Sequence, residues 1–109
     1  MHSDPKLTER LRKFAEPRGL EERRMFGGAA FFFQGHMCVG VYHQQLMLRL
    51  GEDATERVLK RKHVSPMNLT GKTMRGWATV DPPGTTRKTQ LESWLDLALE
   101  FVRTLPAKH

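Results

Sequence analysis

A single cysteine, Cys38, and a single tyrosine, Tyr42, occur in the 109 residues. One thiol excludes an intramolecular disulfide framework and any zinc knuckle built from several cysteines, so stability has to come from packing. No apolar run approaches the roughly 20 residues that cross a bilayer. The amino terminus, Met1-His2-Ser3-Asp4-Pro5, lacks the basic segment and apolar stretch of a secretory signal. A cytoplasmic protein with no membrane contact is therefore expected. Gly-Lys-Ser/Thr, a three-glycine phosphate loop and a Gly-x-Ser-x-Gly elbow are all missing, which argues against a nucleotide loop and a hydrolase triad. Acids are scarce in one region: between Arg57 and Lys88 stand Arg57, Lys60, Arg61, Lys62, Lys72, Arg75, Arg87 and Lys88 against Asp81 alone. That segment accounts for the net charge of +6.

The length suits one domain, residues 1–109, with a core of its own. Asp4-Pro5 supplies an N-cap and a first-turn proline, and Leu7, Leu11, Phe14 and Ala15 follow at helical spacing, predicting a helix from Pro5 to Ala15. Pro17 and Gly19 end it, and the charged residues Glu21-Glu22 and Arg23-Arg24 read as a short connection. The glycine pair Gly27-Gly28, ahead of Ala29-Ala30-Phe31-Phe32-Phe33, reads as a corner feeding a sheet.

Three strands are expected at Gly28 to Phe33, His36 to Tyr42 and Leu46 to Leu50, joined by connections short enough for an antiparallel meander. Alternation puts Met37, Val39 and Val41 on one face and His36, Cys38, Gly40 and Tyr42 on the other. Leu46, Leu48 and Leu50 likewise separate from Met47 and Arg49. A short helix is predicted from Ala54 to Lys62, with Glu52-Asp53 before it and basic residues at its end, as the helix dipole favours. Met67 to Leu69 and Thr73 to Val80 form a second hairpin about Thr70-Gly71-Lys72. Leu91, Trp94, Leu95, Ala98, Phe101, Val102 and Leu105 recur every three or four residues, predicting a last helix from Lys88 to Leu105. The fold class is α+β: an antiparallel five-stranded sheet with helices packed on one face, in the order α-β-β-β-α-β-β-α.

Arg24-Met25-Phe26-Gly27-Gly28, Gly35-His36-Met37, Leu46-Met47-Leu48-Arg49-Leu50, Pro66-Met67, Met74-Arg75-Gly76-Trp77, Trp94-Leu95-Asp96-Leu97-Ala98 and Thr104-Leu105-Pro106-Ala107-Lys108 stand in an order that resembles the amino-terminal domain of the TfoX/Sxy family. The resemblance runs from about Arg23 to Lys108. It implies a bacterial, cytoplasmic domain with a secretion-chaperone-like fold. Longer members are associated with regulating genes for DNA uptake and carry a second, carboxy-terminal domain, whereas this chain is expected to be the amino-terminal domain standing alone.

No catalytic spacing is evident, and no cofactor or enzyme activity is expected. His36 and Cys38, two apart on a strand, face the same way and offer two zinc ligands only if His43 or His63 converges on them; the competing reading is a half-buried thiol beside a surface imidazole. Glu21-Glu22 and Glu52-Asp53 fit a loop and a helix start better than an acid/base pair. Trp94 lies on the apolar stripe of the last helix. Trp77 is a packing or a stacking residue, and Arg75 and Gly76 beside it leave room for a partner. Arg24, with Phe26, Gly27 and Gly28, suits bidentate capture of a carboxylate, either a partner's or one of Glu21, Asp96 and the chain terminus. Tyr42, Met47 and Arg49 make a mixed apolar and cationic sheet face of the kind that meets partners. The expected partner is another protein or a second copy of the chain, in a non-catalytic regulatory role. The alternative is nucleic acid held by Lys60, Arg61, Lys62, Lys72, Arg87 and Lys88 through counterion release.

Overall fold

The computed structural model describes residues 4–25, 27–69 and 71–107. Its first helix, α1 (Pro5–Ala15), begins where the side chain of Asp4 accepts the backbone N–H groups of Lys6 and Leu7 at 3.0 and 3.4 Å. Gly19, at φ 77°, turns the chain out of the helical region.

The next five residues are where the structure departs from the sequence reading. Glu21–Met25 is not a connection but a strand, β1, and it pairs antiparallel with β2 (Gly28–Phe33). Only residues 26 and 27 connect the two, with Gly27 at φ 74°. The Gly-Gly corner is thus a hairpin turn. An edge strand exposed on both sides has no apolar alternation to betray it, and charged residues are what keep such an edge from pairing with other chains. The remaining elements are β3 (His36–Tyr42), β4 (Gln45–Arg49), α2 (Glu52–Val58), β5 (Val64–Leu69), β6 (Lys72–Val80) and α3 (Lys88–Val102). The α+β class and the antiparallel pairing stand. The sheet has six strands rather than five, ordered β1-β2-β3-β4-β6-β5, and the chain runs α-β-β-β-β-α-β-β-α. α2 takes Glu52 and Asp53 into its first turn and stops at Val58, short of the basic residues expected to end it. α3 stops three residues before Leu105.

Leu7 and Leu11 of α1, Val58 of α2 and Leu91, Leu95, Ala98 and Val102 of α3 belong to one buried cluster with Val39, Val41, Leu46, Leu48, Ala78 and Val80. All three helices therefore cover the same face of the sheet. One register shift alters what that face receives. Phe31 sits opposite Val39 and Phe32 opposite Met37, so Cys38 is the extra residue of a β-bulge. Cys38 and Val39 consequently both turn into the helical core, and Met37 passes to the other side, beside Gly40. The alternation read from the sequence had placed Met37 inward and Cys38 outward.

Two glycines fix the junction between sheet and α2. The carbonyl of Gly76 accepts the N–H groups of Leu50 and Gly51 at 2.8 and 3.0 Å, tying the end of β4 to β6 at the point where α2 begins. Gly51 (φ 81°, ψ 162°) occupies backbone space open essentially to glycine alone, and a Cβ there would lie 2.6 Å from the Phe101 ring. α1 is tied to the edge strand by a bidentate pair in which Arg12 donates to both carboxylate oxygens of Glu22 at 2.6 and 2.9 Å. That hydrogen bond lowers the Glu22 pKa against the opposing effect of its partial burial.

Replacing Leu48, which is fully buried, with Ala should cost about 2–5 kcal/mol, read as a lower denaturation midpoint at unchanged m-value. Gly51→Ala should cost at least about 1–3 kcal/mol from its backbone region alone, with the Phe101 clash added. Because the folded pKa of Glu22 is depressed, its contribution is present above the ordinary glutamate pKa of about 4.3 and is lost as pH falls through the folded value. Wild type should thus melt slightly above Glu22→Gln at pH 7, and the gap should close on acidification; a gap unchanged at pH 3 would refute the linkage.

Candidate interaction face

Sheet register sends one set of side chains away from the helices. Gly40 pairs with Ala30 and Met47, Thr79 pairs with Met47 and Ser65, and Arg49 pairs with Trp77. Opposed residues share a face, so Ala30, Gly40, Met47, Ser65, Thr79, Arg49 and Trp77 form a second, helix-free surface. Its floor is apolar: Ala30, Met47 and Met67 are buried without joining the main core. The methyl ends of Met37 and Met47 fold down over Gly40, where a Cβ would approach them to 2.8 and 2.9 Å. Flexible thioethers suit such irregular filling.

Cations stand on the rim of this floor. The guanidinium of Arg49 lies 5.7 Å from the Trp77 ring centre and that of Arg23 lies 4.4 Å from Phe32. On the same face a groove of ≈ 180 Å³ runs across β6 from β4 to β5, lined by Tyr42, Met47, Met67 and Thr79 among others. Tyr42, Phe32, Arg49 and Trp77 are each half-buried, able to meet a partner and already held by neighbours.

Of the residues singled out from sequence, Tyr42, Met47, Arg49 and Trp77 are brought together here. Met47 is only 1% exposed, so it is floor and not contact surface. Cys38 is not among them, because the bulge turns it inward. Arg23, Phe32, Met37 and Met67 also belong to the face, without a signal in the sequence: Arg23 stands in a charged stretch with no alternation, Phe32 in an unbroken aromatic run, and Met37 reaches this side only through the bulge.

Arg24 is elsewhere. It points to the helical side of β1, over a cleft of ≈ 400 Å³ lined by Thr8, Glu9, Arg12, Glu22, Gly27 and Gly28. Of the acids suggested for it, Glu21 binds Arg23 and Asp96 binds Arg18. The chain terminus and Phe26 lie outside the described residues. Arg75 is exposed and meets Glu52 at 3.3 Å, while Gly76 is committed through its carbonyl to Leu50 and Gly51. The proposed nucleic-acid contacts divide between two ends of the molecule. Lys60, Arg61 and Lys62 follow α2 and Arg87 and Lys88 open α3, whereas Lys72 starts β6, roughly 25 Å along the strand from Val80.

The histidine and the thiol have separate surroundings. His36 Nε2 is 2.6 Å from the Pro106 carbonyl, and among the described residues no three His, Cys, Asp or Glu side chains gather as metal ligands. Cys38 is fully buried rather than half-buried, and that burial pushes its thiol up to about 12, against weaker opposing effects of Arg103 and Arg49. A nucleophilic cysteine needs the thiolate, which this environment disfavours. Trp94 is a core residue, as its periodicity suggested; its Nε1 donates to the Gly84 carbonyl at 3.1 Å and Arg61 covers its ring at 4.3 Å.

Fold and face together define a small α+β domain with one helix-covered side and one bare, cation-rimmed side. The sequence profile of the TfoX N-terminal domain matches residues 12–102, and the chain belongs to that family. No curated protein and no solved structure matches it. No helix among the described residues is long and apolar enough to cross a membrane.

Cys38 should resist Ellman's reagent in the native state at pH 8 and react stoichiometrically in denaturant, with a rate that follows unfolding. Fast native labelling would contradict the buried, protonated thiol.

Proposed function

We propose that this chain is a non-catalytic regulatory domain that docks its helix-free sheet face onto an acidic partner protein. Family membership supports a regulatory type of role, and control of genes of the competence kind is the setting we infer for it. The observation that carries the docking reading is the pair of cation-aromatic contacts, Arg23 on Phe32 and Arg49 on Trp77, standing over a methionine floor.

Aromatic residues, methionine and arginine are the types enriched where proteins meet, and tryptophan and arginine dominate binding energy there. Each cation-aromatic contact adds about 0.5–1 kcal/mol at an exposed site and more once water is excluded. The arginines are held in place by the rings beneath them, so less side-chain freedom is lost on docking. Charge selects the partner. A second copy would present the same arginine-rimmed face, whereas an acidic protein supplies carboxylates that guanidinium groups bind bidentately.

A photoreactive benzoylphenylalanine in place of Tyr42 should cross-link in cells to one discrete protein, and Arg49→Gln should abolish the adduct. The same probe at Glu16, exposed on the helical side, should not give it. Absence of an adduct at Tyr42, an equal adduct from Glu16, or a product of twice the 12.6 kDa chain mass would each refute the proposal.

A further inference from the structure

The charge of the chain is sorted by the fold in a way its sequence does not show. The ion pairs formed among the described residues engage Arg12, Arg18, Arg23 and Arg75. Arg18 alone takes both Glu92 and Asp96, the acids of α3 nearest its amino-terminal half. Among the described residues the cations at the start of α3 form no ion pair, and tertiary contacts gather more cations around them. Arg10 of α1 reaches across to donate to the carbonyls of Thr85 at 2.7 Å and Thr86 at 3.0 Å. Among the described residues, Arg10, Lys13, Phe14 and Lys88 line one cleft of ≈ 400 Å³ between α1 and α3, with no acid among them. From the other side, the guanidinium of Arg61 stands 4.3 Å from the Trp94 ring centre, and the Trp94 indole is hydrogen-bonded to Gly84, one residue before Thr85.

We propose that this end of the helical layer is a docking surface for the phosphate backbone of duplex nucleic acid, built from Arg10, Lys13, Arg61, Lys62, Arg87 and Lys88. It is separate from the sheet face and stands independently of the function proposed for that face. Three features favour phosphates over an acidic protein. Lysine is depleted from protein interfaces, and Lys13, Lys62 and Lys88 are exposed here. Among the described residues Phe14 is the only apolar one lining the cleft, too little for the apolar centre of a protein interface but compatible with the polar, strongly positive character of nucleic-acid contacts. Arg10 and Arg61 are anchored by carbonyls and a ring rather than by carboxylates, so they keep their full charge while being held in place. The α3 dipole adds to the field: its first turn contains no acid, and the residue at its N-cap is Arg87, which has no side-chain acceptor.

The contact is to backbone and carries no base readout, so its signature is salt. A fluorescein-labelled mixed-sequence duplex should bind the full chain at low salt in an anisotropy titration, with log K falling linearly against log salt. Each phosphate contact contributes about 0.9 to that slope. Lys13→Gln with Lys88→Gln should therefore make the slope shallower by about 1.8, as should Lys62→Gln with Arg87→Gln. Lys72→Gln with Arg103→Gln removes the same charge at the far ends of β6 and α3, and should leave the slope near that of wild type. No binding at low salt would overturn the proposal. So would equal slope changes from patch and control pairs, which would mean diffuse net charge, or equally tight capture of polyglutamate, which would assign the surface to an acidic protein. Melting curves of the exposed-residue pairs, expected to overlay wild type, separate loss of binding from loss of fold.

Discussion

Burial of the central strands against α3 is the contact on which the rest of this fold depends. Val39 and Val41 of β3 and Leu46 and Leu48 of β4 are fully excluded from water, and Leu91, Leu95 and Ala98 of α3 are equally buried in the same cluster. A side chain of this kind gains about 1.5–3 kcal/mol on leaving water, and six strands supply enough such positions to hold three helices against one face. The strands left over, β1 and β5, are edges, and they carry the charged residues and Pro66 that an edge tolerates.

Covering one face leaves the other to be closed locally. The sheet does so with methionines folded over Gly40 and with arginines laid on Phe32 and Trp77. The bulge at Cys38 links the two sides: by admitting one extra residue it gives the core a small buried thiol and gives the outer face Met37. A feature that looks chemical in sequence, a histidine two residues from the only cysteine, is resolved into a packing element and a hydrogen bond to the carboxy-terminal segment.

Electrostatics follows the same division. Acids are used to fasten α1 to β1 and the turn after α1 to α3, through Arg12 with Glu22 and Arg18 with Glu92 and Asp96. What remains is positive charge concentrated where α1, α3 and the turn after α2 meet. The family to which the chain belongs is shown by the profile match over residues 12–102, but the two surfaces come from geometry: one apolar and rimmed with arginine, one basic and rich in lysine. Function resides in such sites and not in the fold that displays them.

Local chemistry was enough to determine α1, whose Asp4-Pro5 start and Gly19 exit are capping signals, and α3, whose apolar residues keep helical spacing. It also determined the inward row Leu46, Leu48 and Leu50, since alternation is a property of neighbouring residues. Tertiary structure alone decided the rest. β1 has no apolar pattern and exists only because β2 offers it an edge; the bulge depends on which residue of β2 faces which of β3; and the pairing of an arginine depends on carboxylates more than seventy residues away, as for Arg18 and Asp96. Arg10 and Lys13 join Lys88 for the same reason. Spacing along a chain specifies which residues share a face, but which faces meet is set by packing that only the whole fold can bring about.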